Sequence, residues 1–128
     1  MPCFFIDYEN VGSKMEGLSL LNLTANDELV FFYSMGFSRM SMELHTELEG
    51  IRAKKLYIKA DIGTRNALDF QLVSYLGACI QKYPEKEYCI VSKDGGYDCV
   101  CNFWRKRNID VKRIERICYY PRYLTGSV

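Results

Sequence analysis

Five short apolar runs punctuate the chain, at residues 3–6, 28–34, 55–59, 87–92 and 110–114, each rich in aromatic and β-branched side chains. Runs of this length and composition predict β-strands, and the unbroken apolarity of the first and fourth predicts burial on both faces. Between them the apolar period lengthens. Residues 39–50 with Ile51 place Met40, Leu44, Leu48 and Ile51 at spacings of four, four and three, and residues 67–82 repeat the period with Leu68, Leu72, Val73, Leu76, Cys79 and Ile80. Both predict amphipathic helices. A third is expected over 97–107, with Val100, Phe103 and Trp104 inward, and a short first helix over 13–22. Strands alternating with helices predict parallel pairing through right-handed crossovers, hence a three-layer α/β/α sandwich on a mainly parallel five-stranded sheet. Residues 1–128 read as a single domain, with an aromatic tail from about 117 to 128 expected to dock, on a second subunit for instance.

Composition supports that reading and removes others. The chain has 128 residues, 48% hydrophobic and 26% charged, with only 9 Gly and 3 Pro, so disordered and low-complexity classes are excluded. No apolar run approaches the roughly 18 residues that span a bilayer, and no basic stretch precedes the first strand as in a signal peptide; a cytoplasmic location without membrane contact is expected. The six cysteines contain no C-x-x-C pair, so reduced, mostly buried thiols are expected. His45 is the single histidine, which argues against a His-based triad or a multi-histidine metal site and leaves it as a helix-surface residue.

The near-neutral total hides a split. Residues 1–50 carry two basic and eight acidic side chains, a net −6, and residues 51–128 carry fifteen and eight, a net +7. A basic face beside an acidic pocket suits a nucleic-acid enzyme that holds a divalent metal; two solvated faces would give the same arithmetic. If nucleic acid follows the basic half, Arg52, Lys54, Lys55, Lys59 and Arg65 near the third strand, with Lys93, are its expected path, and Arg105, Lys106 and Arg107 are expected at the opposite edge.

In open α/β sheets the functional crevice lies beyond the carboxyl ends of the strands, where strand order reverses. Strand 1 stops at Asp7, strand 4 is followed by Lys93-Asp94-Gly95-Gly96, and Asp98 and Asp69 sit in the first turns of the helices that begin at the same edge. If strands 1 and 4 are neighbours, Asp7, Asp69, Asp94 and Asp98 converge. Helix N-termini account for Asp69 and Asp98 taken singly, and turn chemistry accounts for Asp94. Asp7 is harder to explain away, since it ends a wholly apolar strand. As a group the carboxylates repel one another, and Mg²⁺ or Mn²⁺ held by oxygen ligands and water relieves that repulsion.

The blocks Ile6-Asp7-Tyr8-Glu9-Asn10-Val11, Asn66-Ala67-Leu68-Asp69-Phe70 and Val91-Ser92-Lys93-Asp94-Gly95-Gly96-Tyr97-Asp98 resemble the three motif blocks of the PIN-like nuclease superfamily, in the branch that includes NYN domains. The resemblance covers residues 3 to about 115. It implies strand order 3-2-1-4-5 and metal-dependent hydrolysis of single-stranded or structured RNA. It also implies that Asp7 and Asp94 are primary Mg²⁺ or Mn²⁺ ligands and that Asp69 and Asp98 act through water or hold a second ion. Asn10 and Ser92 would support them. Lys93, Arg65 and Lys14 would meet phosphates, with solvated surface cations as the alternative, and Tyr8 and Tyr97 would stack a base or simply pack. Two departures stand out: three residues separate Asp94 from Asp98 where NYN domains often have one, and Asp69 replaces the glutamate of many PIN domains. A haloacid-dehalogenase reading wants an aspartate where Glu9 stands, and a receiver-domain reading leaves Asp94 to Asp98 unexplained. The competing reading is a non-catalytic RNA-binding or oligomerising module on the same fold. RNA is the expected partner, with a homodimer or a regulatory protein as further expectations.

Overall fold

The structure is a computed structural model that describes residues 2–12, 15, 23–61, 63 and 66–120. Strands β1 (Pro2–Asp7), β2 (Glu28–Tyr33), β3 (Lys54–Lys59), β4 (Glu87–Val91) and β5 (Val111–Ile114) alternate with helices α1 (Tyr8–Val11), α2 (Met42–Glu49), α3 (Ala67–Lys82) and α4 (Asp98–Arg105). All the pairings are parallel, and the order is β3-β2-β1-β4-β5. Every strand lies within one residue of its expected ends. The strand order reverses between β1 and β4, so their carboxyl ends open a crevice between them.

Because side chains alternate across a strand, β1 feeds two cores. Phe4 and Ile6 pack with Leu29, Phe31, Cys89 and Val91 beneath α2, which contributes Leu44 and Leu48. Cys3 and Phe5 pack with Val30, Phe32, Tyr88 and Ile90 beneath α3 and α4, which contribute Leu72, Leu76 and Cys101. The ring of Phe5 meets those of Phe32, Tyr75 and Tyr88 at centroid distances of 5.9, 5.8 and 6.2 Å. This is the layered sandwich that the alternation predicts.

Local chemistry sets the helix limits. Ser41 Oγ accepts the Leu44 N–H at 3.1 Å, so α2 starts at Met42, three residues later than periodicity suggests. The unexpected α1 is four residues long, too short to show a period, and is nucleated by the Asp7 side chain. Of the helix expected over 13–22, all but Met15 lies outside the described residues. In α4 the buried residue is Cys101, with Val100 and Trp104 packed beside it; Phe103, expected inward, is 48% exposed and carries the Arg107 guanidinium 3.7 Å from its ring centroid. The cause is Tyr97, which starts the inward stripe of 97, 101 and 104 and turns 103 outward.

The cysteines are all free, with Cys3, Cys89 and Cys101 buried and Cys99 exposed. His45 is surface-exposed and bridges to Glu49 at 3.0 Å. The described part of the tail docks on its own chain: Ile117 and Tyr120 are buried, and Tyr120 sets its ring edge against Phe4 and its hydroxyl against Glu87. The docking expected of the tail is thus made on its own chain at residues 117–120; residues 121–128 lie outside the described ones. Among the described residues no helix is long and apolar enough to cross a membrane.

Truncating Phe5 to Ala is expected to cost about 3–5 kcal/mol of unfolding free energy, because the site is enclosed on every side. Phe103→Ala is expected to cost less than about 1 kcal/mol. Urea unfolding of the two variants checks this, and comparable losses would contradict the outward placement of Phe103 on α4.

Candidate active site at the carboxyl edge of the sheet

Asp7 is the deepest of the acids, only 3% exposed, at the last position of β1. A buried carboxylate needs hydrogen bonds in place of water. Asp7 Oδ1 accepts the Asn10 N–H at 3.2 Å, which caps α1, and Oδ2 accepts the Ser92 hydroxyl at 3.3 Å. Ser92 is fully buried just beyond β4, and its Oγ accepts the Asp94 N–H at 3.0 Å. One hydroxyl therefore ties the ends of β1 and β4 together. A second tie is the Asn10 side chain, whose Oδ1 accepts the Lys93 N–H at 2.7 Å.

Tyr97 joins the third element. Its hydroxyl lies 3.0 Å from both Asp7 Oδ2 and Asp69 Oδ1, the latter in the first turn of α3. A phenol has one proton to donate, so only one of these contacts is its donation. The two carboxylates therefore compete for that proton. Burial pushes Asp7 up to about 6, with the charge of Asp69 adding to it, while Tyr97, Asn10 and Ser92 pull the other way. Asp69 is raised in turn by burial and by the charges of Asp94 and Glu9, against the Tyr97 hydrogen bond. Tyr97 itself is held in its neutral form by burial and by both carboxylates.

Asp94 is exposed, and its Oδ1 accepts the Gly96 N–H at 2.9 Å, which fixes the turn from β4 into α4. A Cβ on Gly96 would stand 3.1 Å from that oxygen, so the turn wants glycine. Asp69 and Asp94 line one cleft of about 350 Å³, together with Phe70, Val73 and Tyr97. Asp98 goes elsewhere. Arg113 of β5 holds it through Nε at 2.7 Å and Nη2 at 3.3 Å, and donates from Nη1 to the Ser92 carbonyl at 3.0 Å. The guanidinium lowers the Asp98 pKa.

The structure thus brings Asp7, Asp69, Asp94, Asn10 and Ser92 to one crevice and gives Asp98 to Arg113. Lys93 is exposed on the connecting turn. Lys14 and Arg65 lie outside the described residues. Tyr97 is 3% exposed and Tyr8 is buried with its hydroxyl on the Arg39 carbonyl at 2.6 Å, so neither ring offers an open face of the kind base stacking requires; Tyr97 positions the acids instead. Along β3 only Lys59 stands at the acid edge, since Arg52, Lys54 and Lys55 lie toward the amino end. Sequence reasoning missed Glu9 as a neighbour of Asp69, held by the Ser34 hydroxyl at 2.9 Å, and Arg113 as the partner of Asp98. Arg113 was discoverable as a cation near the carboxyl end of the strand beside β4.

Among the described residues no three of His, Cys, Asp or Glu stand close enough to cage a metal. Oxygen-only donors nonetheless fit a hard cation, and Mg²⁺ commonly takes one or two carboxylates and keeps its waters. Asp7, Asp69 and Asp94 supply carboxylates of that kind, one or two as direct ligands and the remainder through retained water.

An unfolded aspartate ionises near 3.8 and the folded Asp7 near 6, so between these values the native state keeps a proton that the unfolded chain has lost. Stability of the metal-free protein is therefore expected to fall as pH rises from about 4 to about 6 and then level off. Asp7→Asn preserves the shape and lets an amide donate to Tyr97, so its melting temperature at pH 7 should exceed the wild-type value by roughly 3–8 °C, with no gain below pH 4. Thermal melts in chelator across pH 4–8 check this, and a variant less stable at every pH would contradict it.

Comparison with curated proteins gave no match, and neither did comparison with solved structures. A family model described as a PIN domain matches residues 1–114, from the first strand through β5. With the parallel order β3-β2-β1-β4-β5 and acids gathered at the β1/β4 switch point, the chain belongs to the PIN-domain family, whose members are commonly nucleases.

Proposed function

We propose that the protein is a metal-dependent endoribonuclease that hydrolyses phosphodiester bonds of single-stranded or structured RNA at the crevice between β1 and β4. The observation that carries this reading is the meeting of Asp7 and Asp69 on the Tyr97 hydroxyl, with Asp94 lining the same cleft as Asp69. Asp7, Asp69 and Asp94 would hold Mg²⁺ or Mn²⁺, which when bound lowers the pKa of water and neutralises charge building on the phosphate. Ser92, Asn10 and Tyr97 fix the carboxylates so that little reorganisation is left for the reaction. Arg113, paired with Asp98, donates to the Ser92 carbonyl and holds it in place from behind. Lys93, Lys14 and Arg65 supply cations for the strand that the acids would otherwise repel.

A second reading, an RNA-binding module without catalysis, draws on the absence of a three-acid cage among the described residues. Cleavage separates the two. Wild-type protein with end-labelled single-stranded RNA is expected to cut in Mn²⁺ or Mg²⁺ and to stop in chelator. Asp94→Asn is expected to lower the rate at least roughly hundredfold, a loss of about 3 kcal/mol of transition-state stabilisation, with an unchanged melting profile. RNA retained but uncut by the wild type would establish the binding module, and undiminished cleavage by purified Asp94→Asn would remove the site.

A further inference from the structure

On the α2 side of the sheet, the carboxyl ends of β2 and β3 build a second recess beside the acids. Parallel register pairs Phe31 with Tyr57 and Tyr33 with Lys59, and alternation sends all four side chains to the same face. Tyr8 and the turn from Phe37 to Met40 close a cavity of about 330 Å³, within the usual range of small-ligand sites. Its wall is flat and aromatic. Phe31 and Tyr57 stack at 5.1 Å with an interplanar angle of 21°, Phe31 fully buried and Tyr57 outermost, 48% exposed. Phe37, 47% exposed, stands on the closing turn.

The charges at this recess are one-sided. Its described lining includes Arg39 and Lys59 and no carboxylate, and neither cation makes an ion pair within the described residues. A groove of about 880 Å³ shares Tyr8, Phe37 and Arg39 with the recess and extends to Glu9 and Asn10, the latter bonded through its backbone N–H to Asp7 and through its side chain to the Lys93 N–H. An occupant must therefore offer a flat ring to the aromatics and negative charge to the cations, on a chain that reaches the acids. A nucleotide of a single strand satisfies all three requirements. An apolar peptide leaves the cations unused, and a paired base offers no free ring face.

We propose that this recess is a nucleotide subsite that stacks one unpaired base of the bound strand on Tyr57 and Phe37, with its phosphates at Arg39 and Lys59. The proposal rests on the nuclease reading for the path of the strand, and it makes single-strandedness a requirement of the protein rather than of its target.

The test is fluorescence anisotropy of a labelled single-stranded RNA hexamer in chelator, so that binding is read without cleavage, with the cleavage assay run separately. Tyr57→Ala is expected to weaken binding about fivefold to hundredfold, the worth of one stacked base, while Tyr57→Phe stays within about twofold of wild type. A hexamer of abasic residues is expected to bind weakly to wild type and to ignore Tyr57→Ala. Should Tyr57→Ala melt abnormally, Phe37→Ala on the exposed turn carries the same expectation. Wild-type affinity in both alanine variants, or equal affinity for abasic and intact RNA, overturns the subsite even if cleavage is robust. Loss of binding in the variants supports it even if the wild type cuts nothing, an outcome that would sink the nuclease reading alone. Failure of wild type to bind the hexamer overturns the subsite, as does a concentration-dependent dimer in sedimentation that Tyr57→Ala abolishes, since a second copy would then be the occupant.

Discussion

The burial of the Asp7 carboxylate at the end of a wholly apolar strand is the constraint around which the edge of the sheet is arranged. A carboxylate there is costly, and its cost is offset only by donors that converge on it from three directions. Ser92 comes from β4, Tyr97 from the turn into α4, and the Asn10 amide from α1. Each of these donors is itself tied to another part of the crevice: Ser92 to the Asp94 amide, Tyr97 to Asp69, Asn10 to the Lys93 amide. Satisfying one buried acid thus sets the positions of two others.

The same network explains why the edge is acidic without falling apart. Asp7 and Asp69 are both pushed toward protonation, and the Tyr97 hydroxyl faces both of them as a donor. Asp98 escapes the repulsion by pairing with Arg113, which then anchors the Ser92 carbonyl. The four aspartates therefore divide their work, three facing the crevice and one bracing its wall. Stability is given up at Asp7 for a polar group that a folding core does not need, the usual mark of a functional position.

Much of the fold was legible because periodicity reports burial directly. The unbroken apolar runs of β1 and β4 and the fourfold spacing of Leu68, Leu72, Leu76 and Ile80 leave little freedom in where those elements lie. The acids were legible for a related reason, since a strand that stops at a carboxylate points that group into the crevice. What the sequence hid was direction. Nothing local distinguishes Asp98, which turns to Arg113, from Asp69, which turns to Tyr97, because the choice depends on β5 lying beside β4. Tyr97 read as a ring that stacks a base or packs, and its hydroxyl between Asp7 and Asp69 was hidden because that meeting joins three separated segments. The aromatic recess was invisible, since Tyr8, Phe37 and Tyr57 come from three separated segments joined only by sheet register.

The central claim, that Asp7 and its neighbours form a hard-cation site, is tested most directly by Mn²⁺ binding followed by electron paramagnetic resonance. Wild-type protein and Asp98→Asn, which alters only the pair with Arg113, should both take up Mn²⁺ saturably at neutral pH, and Asp7→Asn should lose that uptake. Saturable binding retained in Asp7→Asn, or no saturable binding by the wild type at millimolar Mn²⁺, would contradict the account.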